Sequence, residues 1–196
     1  MATAGPNSAG SGASQAGVGT VTWTSPGSVT VSDNTRATVT LSGGAQSQYL
    51  VASSFGFAIP AGATIDGIVV EVEKSSSSAS NVLDNRVRIV KGGAIGATDK
   101  SSATPWVITS SEAYVTYGGA ADLWGETWTA NDINASTFGA TISVRNSNVK
   151  QSRSAYVDHI RITVYYTEAT TTTTTTTTPA PTRPFNQSRI GLGIRL

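Results

Sequence analysis

From Thr20 to Thr167 the chain runs in short stretches of alternating apolar and polar residues, interrupted by turn-forming residues about every ten positions. A period of two sends successive side chains to opposite faces of an extended strand. Each stretch can therefore bury one face only by joining a sheet that packs on a second layer. The pattern predicts an all-β fold, an antiparallel, jelly-roll-like β-sandwich with extended N- and C-terminal arms. In the clearest strand, Tyr156 to Tyr166, the residues Tyr156, Ile160, Ile162, Val164 and Tyr166 share one face, and His159, Arg161, Thr163 and Tyr165 the other. The same reading turns Ile68, Val70 and Val72 inward with Glu71 and Glu73 outward, and Phe138, Ala140, Ile142 and Val144 inward with Thr141, Ser143 and Arg145 outward. Further strands are expected at Val21 to Thr24, Val29 to Val31, Ala37 to Leu41, Tyr49 to Ala52, Val87 to Val90, Trp106 to Ile108 and Tyr114 to Tyr117. Ser42-Gly43-Gly44, Pro60-Ala61-Gly62, Gly92-Gly93 and Asn146-Ser147-Asn148 supply the turns between them.

The flanks differ in composition. Residues 1–19 are mostly Gly, Ala and Ser, too poor in apolar groups to offset their ordering entropy by burial, and are expected to form a flexible arm. Residues 20–167 make the sandwich. Residues 168–184 carry an unbroken threonine tract, Thr170 to Thr178, followed by Pro179-Ala180-Pro181, which suits an extended spacer. In residues 185–196, Ile190, Leu192, Ile194 and Leu196 alternate with Arg189, Gly191, Gly193 and Arg195. That stretch is strand-like but too short to fold alone, so Phe185, Ile190, Leu192, Ile194 and Leu196 are expected to dock on a partner.

Charge and cysteine content narrow the function. Charged residues are 13% of the chain, about half the usual share of roughly 25%, which leaves a polar surface that repels neighbours weakly. A net charge of +1 without clustered Lys and Arg argues against nucleic acid as a partner. With no cysteine there is neither a disulfide nor a thiolate ligand. The start Met1-Ala2-Thr3-Ala4-Gly5-Pro6 has no basic and apolar leader, and no apolar run reaches the roughly 18 residues of a membrane helix, so no membrane is expected either.

Three segments together resemble a β-sandwich family of tailed-phage and metagenomic virion proteins. They are Phe55-Gly56-Phe57-Ala58-Ile59-Pro60-Ala61-Gly62-Ala63-Thr64-Ile65-Asp66-Gly67-Ile68, then Asp122-Leu123-Trp124-Gly125 with Trp128 and Asp132-Ile133-Asn134, and the closing Val157-Asp158-His159-Ile160-Arg161-Ile162-Thr163-Val164-Tyr165-Tyr166. The resemblance covers about Thr20 to Thr167. It implies a structural protein of a bacteriophage virion assembled in the host cytoplasm, most naturally a capsid decoration or cement subunit. Its partners would be major capsid or tail subunits, and it would be a homo-oligomer. The alternative is a glycan-binding receptor or tail-fibre module.

Nothing in the residues points to catalysis, a cofactor or a metal. His159, the one histidine, has Asp158 on the opposite strand face, so the two cannot form a triad, and a solvent-facing strand histidine is expected. Glu71 and Glu73 share a face about 7 Å apart, the raw material of a glycosidase pair, but a solvated strand face explains them more simply. Asp33-Asn34, Asp84-Asn85 and Asn131-Asp132 carry oxygens that calcium favours, yet none has a recognised ligand spacing, and turn chemistry accounts for them. Gly92-Gly93 precedes no Lys-Ser/Thr helix and reads as a hairpin. The aromatics Trp106, Tyr114, Tyr117, Trp124 and Trp128 cluster in sequence; core packing is the expected fate, with Trp106, Tyr117, Trp124 and Trp128 as the candidate glycan platform.

Overall fold

The computed structural model describes residues 1–170. Ten strands form two five-stranded antiparallel sheets, so the expected β-sandwich is the fold. The strands are β1 (Ala2–Ser8), β2 (Ser11–Gln15), β3 (Ala37–Leu41), β4 (Tyr49–Ser53), β5 (Thr64–Ser76), β6 (Val82–Lys91), β7 (Ala94–Ile95), β8 (Ala113–Gly119), β9 (Gly139–Asn146) and β10 (Arg153–Thr167). The first sheet has the order β1-β10-β5-β8, with β3 also paired to β10; the second has the order β2-β4-β9-β6-β7. One short helix, α1 (Ala130–Asn134), is closed by a capping box in which the Thr129 hydroxyl accepts from the Asp132 amide and the Asp132 carboxylate accepts from the Thr129 amide.

The alternation read in β5, β9 and β10 becomes the core. Ile68, Val70, Val72, Ile160, Ile162 and Val164 of the first sheet face inward with Leu50, Val87, Ile89, Ile142 and Val144 of the second, all at most 1% exposed. Each such side chain contributes about 1.5–3 kcal/mol by leaving water. Phe55, Phe57, Phe138 and Trp128 close one region of the core, Trp128 edge-on to Phe138 at 5.4 Å between ring centres.

Residues 1–19 are not a flexible arm. β1 lies antiparallel along the second half of β10, and after buried Ala9 the chain crosses to the other sheet, where β2 pairs with β4. The N-terminal segment thus staples the sheets. Its stability comes from backbone N–H and C=O groups that complete two sheet edges, a gain that does not depend on large side chains. Small residues are even required: a Cβ on Gly12 would lie 2.0 Å from the Pro26 carbonyl oxygen, where the 3₁₀ turn Pro26–Val29 rests on β2.

Three expected strands are only points of contact. Val21 and Thr24 make isolated bridges to Ser47 and Thr38, Thr30 makes one to His159, and Ile108 makes one to Ser76. The spacer from Thr171 onward and the docking residues Phe185, Ile190, Leu192, Ile194 and Leu196 lie outside the described residues.

Candidate functional site

The outer face of the first sheet carries a connected strip of polar side chains across β10, β5 and β8. The register sets Arg161 opposite Glu71 and His159 opposite Glu73, and sets Glu73 in turn opposite Tyr114. Directly opposed residues on one face sit about 5 Å apart, so this register alone brings the five together. Arg161 donates twice to Glu71, Nε to Oε2 at 2.9 Å and Nη2 to Oε1 at 3.0 Å. The same guanidinium lies 3.9 Å from the centre of the Tyr114 ring. The Tyr114 hydroxyl is 2.7 Å from His159 Nδ1, and His159 Nε2 is 2.9 Å from the Ser8 hydroxyl.

At one end the strip meets a second ionic group. Arg36 Nε reaches both oxygens of Glu112, at 3.0 and 2.8 Å, its Nη2 also donates to Glu112, and Ser75 Oγ donates to Glu112 Oε1 at 3.0 Å. Asp158, only 2% exposed, sits where β10 shifts register; its Oδ2 accepts from the Asn34 amide at 3.1 Å. Burial, with Glu73 and Glu112 nearby, raises its pKa. Burial lowers that of His159 and raises that of Tyr114, so the His159–Tyr114 contact is between a neutral ring and a neutral phenol at neutral pH.

His159 is therefore not solvent-facing: it is 6% exposed, enclosed by Tyr114, Ser8 and the Thr30 crossing. The shift at Asp158, together with a crossing segment, did this, and neither shows in the alternation. Glu71 is half-buried in an ion pair rather than on a fully wet face. That pair ties up one of the two carboxylates a glycosidase would need.

The four residues named as a candidate glycan platform form no exposed platform and mostly take the core fate expected first, because each places its polar edge on an internal partner, Trp106 and Tyr117 both on Asp84. Trp106 is 2% exposed and donates to Asp84 Oδ1 at 2.7 Å; Trp124 is fully buried and donates to the Ile68 carbonyl at 3.0 Å. Tyr117 donates to Asp84 Oδ2 at 2.8 Å, and half-buried Trp128 donates to the Leu123 carbonyl at 3.0 Å. The oxygen-rich pairs also separate. Asp33 accepts from the Thr35 amide in a local turn, Asp84 is inside the sandwich, and Asn131 and Asp132 are in α1. Among the described residues, no three His, Asp or Glu side chains are placed to hold an ion together.

Between the sheets lies a second cluster. Lys74 continues the inward series Ile68, Val70, Val72, and its ammonium donates to Asp84 Oδ1 at 2.6 Å and to the Tyr117 hydroxyl. It also lies 4.5 Å from the Trp106 ring centre, and Asp84 Oδ2 accepts from the Ser102 amide at 3.0 Å. Beside this cluster a pocket of about 200 Å³ is walled mainly by Pro105, Trp106, Val107, Ala113 and Val115. Sequence reading missed Lys74, although its place two residues after Val72 marked it as inward. It missed Arg36 and Glu112 as well, since loop residues carry no periodic signal.

No protein-family profile matches the chain, and no curated protein matches it. Among solved structures, one titled "CBM4 structure and function" is 18% identical over 67% of this chain and 85% of its own, with a TM-score of 0.38. The second N-terminal cellulose-binding domain of Cellulomonas fimi β-1,4-glucanase C is 16% identical over 83% of this chain and 94% of its own, with a TM-score of 0.40. Likeness at this level carries no argument about a ligand.

Proposed function

We propose that the chain is a non-catalytic binding module that holds a glycan on the outer face of its first sheet. The observation that supports this reading is the strip Tyr114, Arg161 and Glu71, fixed in place before any ligand arrives by mutual contacts and by the enclosed His159, which bonds Tyr114. A sugar hydroxyl both donates and accepts, so it can take a hydrogen bond from Arg161 Nη1, which the pair with Glu71 leaves over, and give one to a remaining lone pair of Glu71. The face of the Tyr114 ring turned away from Arg161 remains for the apolar side of a sugar ring. Preorganisation saves the cost of ordering long side chains on binding. The strip spans three adjacent strands, about 10 Å from β10 to β8, enough for an extended chain rather than a single deep pocket.

Affinity electrophoresis and calorimetry against neutral polysaccharides test this. Arg161→Met and Tyr114→Ala are expected to weaken retention at least tenfold while circular dichroism stays unchanged. If both variants bind a retained polysaccharide as tightly as the parent, or the parent binds none across cellulose, xylan and mixed-linkage glucan, the reading is refuted. Carriage of the module on a virion as a decoration subunit, through residues 185–196, is a separate proposal. Its support is the low charge and the alternating tail sequence.

A further inference from the structure

We propose that the apolar pocket beside Trp106 is the docking site of this chain's own C-terminal segment, Ile190 to Leu196, seated as an added strand along β8 of the same molecule. The inference is independent of the glycan reading, and it excludes attachment to a virion through residues 185–196, since one segment cannot fill both sites in the same molecule. β8 ends the first sheet, and among the described residues no strand pairs with its outer edge. Such an edge offers unpaired backbone groups to an incoming strand, and a neighbouring pocket selects its alternate side chains.

The pocket lies on the inward side of β8, where Ala113 and Val115 point, and Pro105, Trp106 and Val107 give it a mostly apolar wall, with Lys74, Ser102 and Thr104 completing the lining. Val107 and Ile108, 40% and 43% exposed, adjoin it and are two of the five exposed large hydrophobic residues among those described. A volume of about 200 Å³ is of the order that accepts one branched aliphatic side chain, since engineered apolar cavities of roughly 150 Å³ bind benzene.

The segment fits that edge in pattern and reach. A strand beside β8 that directs Ile190, Leu192, Ile194 and Leu196 toward the pocket side directs Arg189 and Arg195 to the other side, the one bearing Glu71 and Glu73. Gly191 and Gly193 on that side leave Tyr114 uncrowded. Thr167 pairs with Thr64, and Ala113 lies opposite Lys74, ten residues further along β5. The gap along the sheet is therefore about 33 Å, whereas the twenty residues from Thr170 to Ile190 extend to roughly 66 Å. Docking within one molecule then gains an effective concentration in the millimolar range.

Because the chain has no cysteine, paired cysteines report the contact directly. In the full chain, Val107→Cys with Leu192→Cys should form an intramolecular disulfide at least tenfold faster than Val149→Cys with Leu192→Cys, Val149 being an exposed residue elsewhere on the sandwich. Adding Ile190→Asp and Ile194→Asp should bring the fast rate down to that of the control. Equal rates for the two pairs would overturn the proposal, and so would a concentration-dependent dimeric product in place of the monomeric one. A fast rate that survives both aspartates would overturn it too.

Discussion

Lys74→Met removes the ammonium from a site that is 3% exposed and leaves Asp84, equally enclosed, without its counter-charge. Breaking a buried ion pair from one side costs about 3–5 kcal/mol, because the remaining charge keeps its desolvation penalty. Asp84 retains three donors, the Trp106 indole at 2.7 Å, the Tyr117 hydroxyl at 2.8 Å and the Ser102 amide at 3.0 Å. The lower end, about 3 kcal/mol, is therefore expected, a large share of a typical stability of roughly 5–15 kcal/mol. With a urea slope of about 2 kcal/mol/M, the unfolding midpoint should fall by about 1.5 M. Asp84→Asn, which strands Lys74 instead, should cost a similar amount. The double variant leaves no charge at that site, so its cost should stay near that of one single variant, giving a coupling energy of about 3 kcal/mol. The assay is urea denaturation of all four proteins followed by tryptophan fluorescence. If the single costs add to within about 0.5 kcal/mol, or Lys74→Met costs under about 1 kcal/mol, the pair is not the electrostatic unit its geometry describes.

Two further outcomes follow from packing and titration. Gly139→Ala places a Cβ 2.0 Å from the Ala52 carbonyl oxygen on the neighbouring strand, so the β4–β9 pairing must shift, and a loss of roughly 1–3 kcal/mol is expected by denaturant unfolding; an unchanged midpoint would refute the close approach. Because burial lowers the His159 pKa, the unfolded chain binds more protons than the folded one between the folded value and about 6.5, so the stability owed to neutral His159 is whole above that range and declines as pH falls through it. Glu73, Asp158 and Glu71 oppose that shift and Arg161 assists it; a His159→Gln variant should flatten the decline in thermal unfolding between about pH 6.5 and 5, and an identical slope would show that His159 does not carry it.

The sequence read most clearly where a strand has one wet face and one buried face. β5, β9 and most of β10 appear where the alternation puts them, and Lys74 was visible as an inward cation to anyone extending that series. β1 and β2 were hidden because their stability comes from backbone pairing to β10 and β4, and composition registers only side chains. The polar strip was half legible. Arg161 and Glu71 were on the right faces, but their register, and the enclosure of His159 by Thr30, Ser8 and Tyr114, depend on residues far apart in the chain. Trp106 and Trp124 took the expected core fate rather than the platform alternative, because an indole N–H that can reach an internal carboxylate or carbonyl lets the whole ring be buried at little cost.

The fifteen residues of β10 contact β1, β3 and β5, yet among the described residues they are the last strand to be made. While the chain emerges from the ribosome, β1, β3 and β5 have no common partner, and the first sheet stays open until Thr167 clears the exit tunnel. Pairings that span so much of the chain form slowly. The interval between synthesis of β5 and arrival of β10 is when the apolar faces of half-built sheets are exposed to other nascent chains, and chaperone demand should peak there.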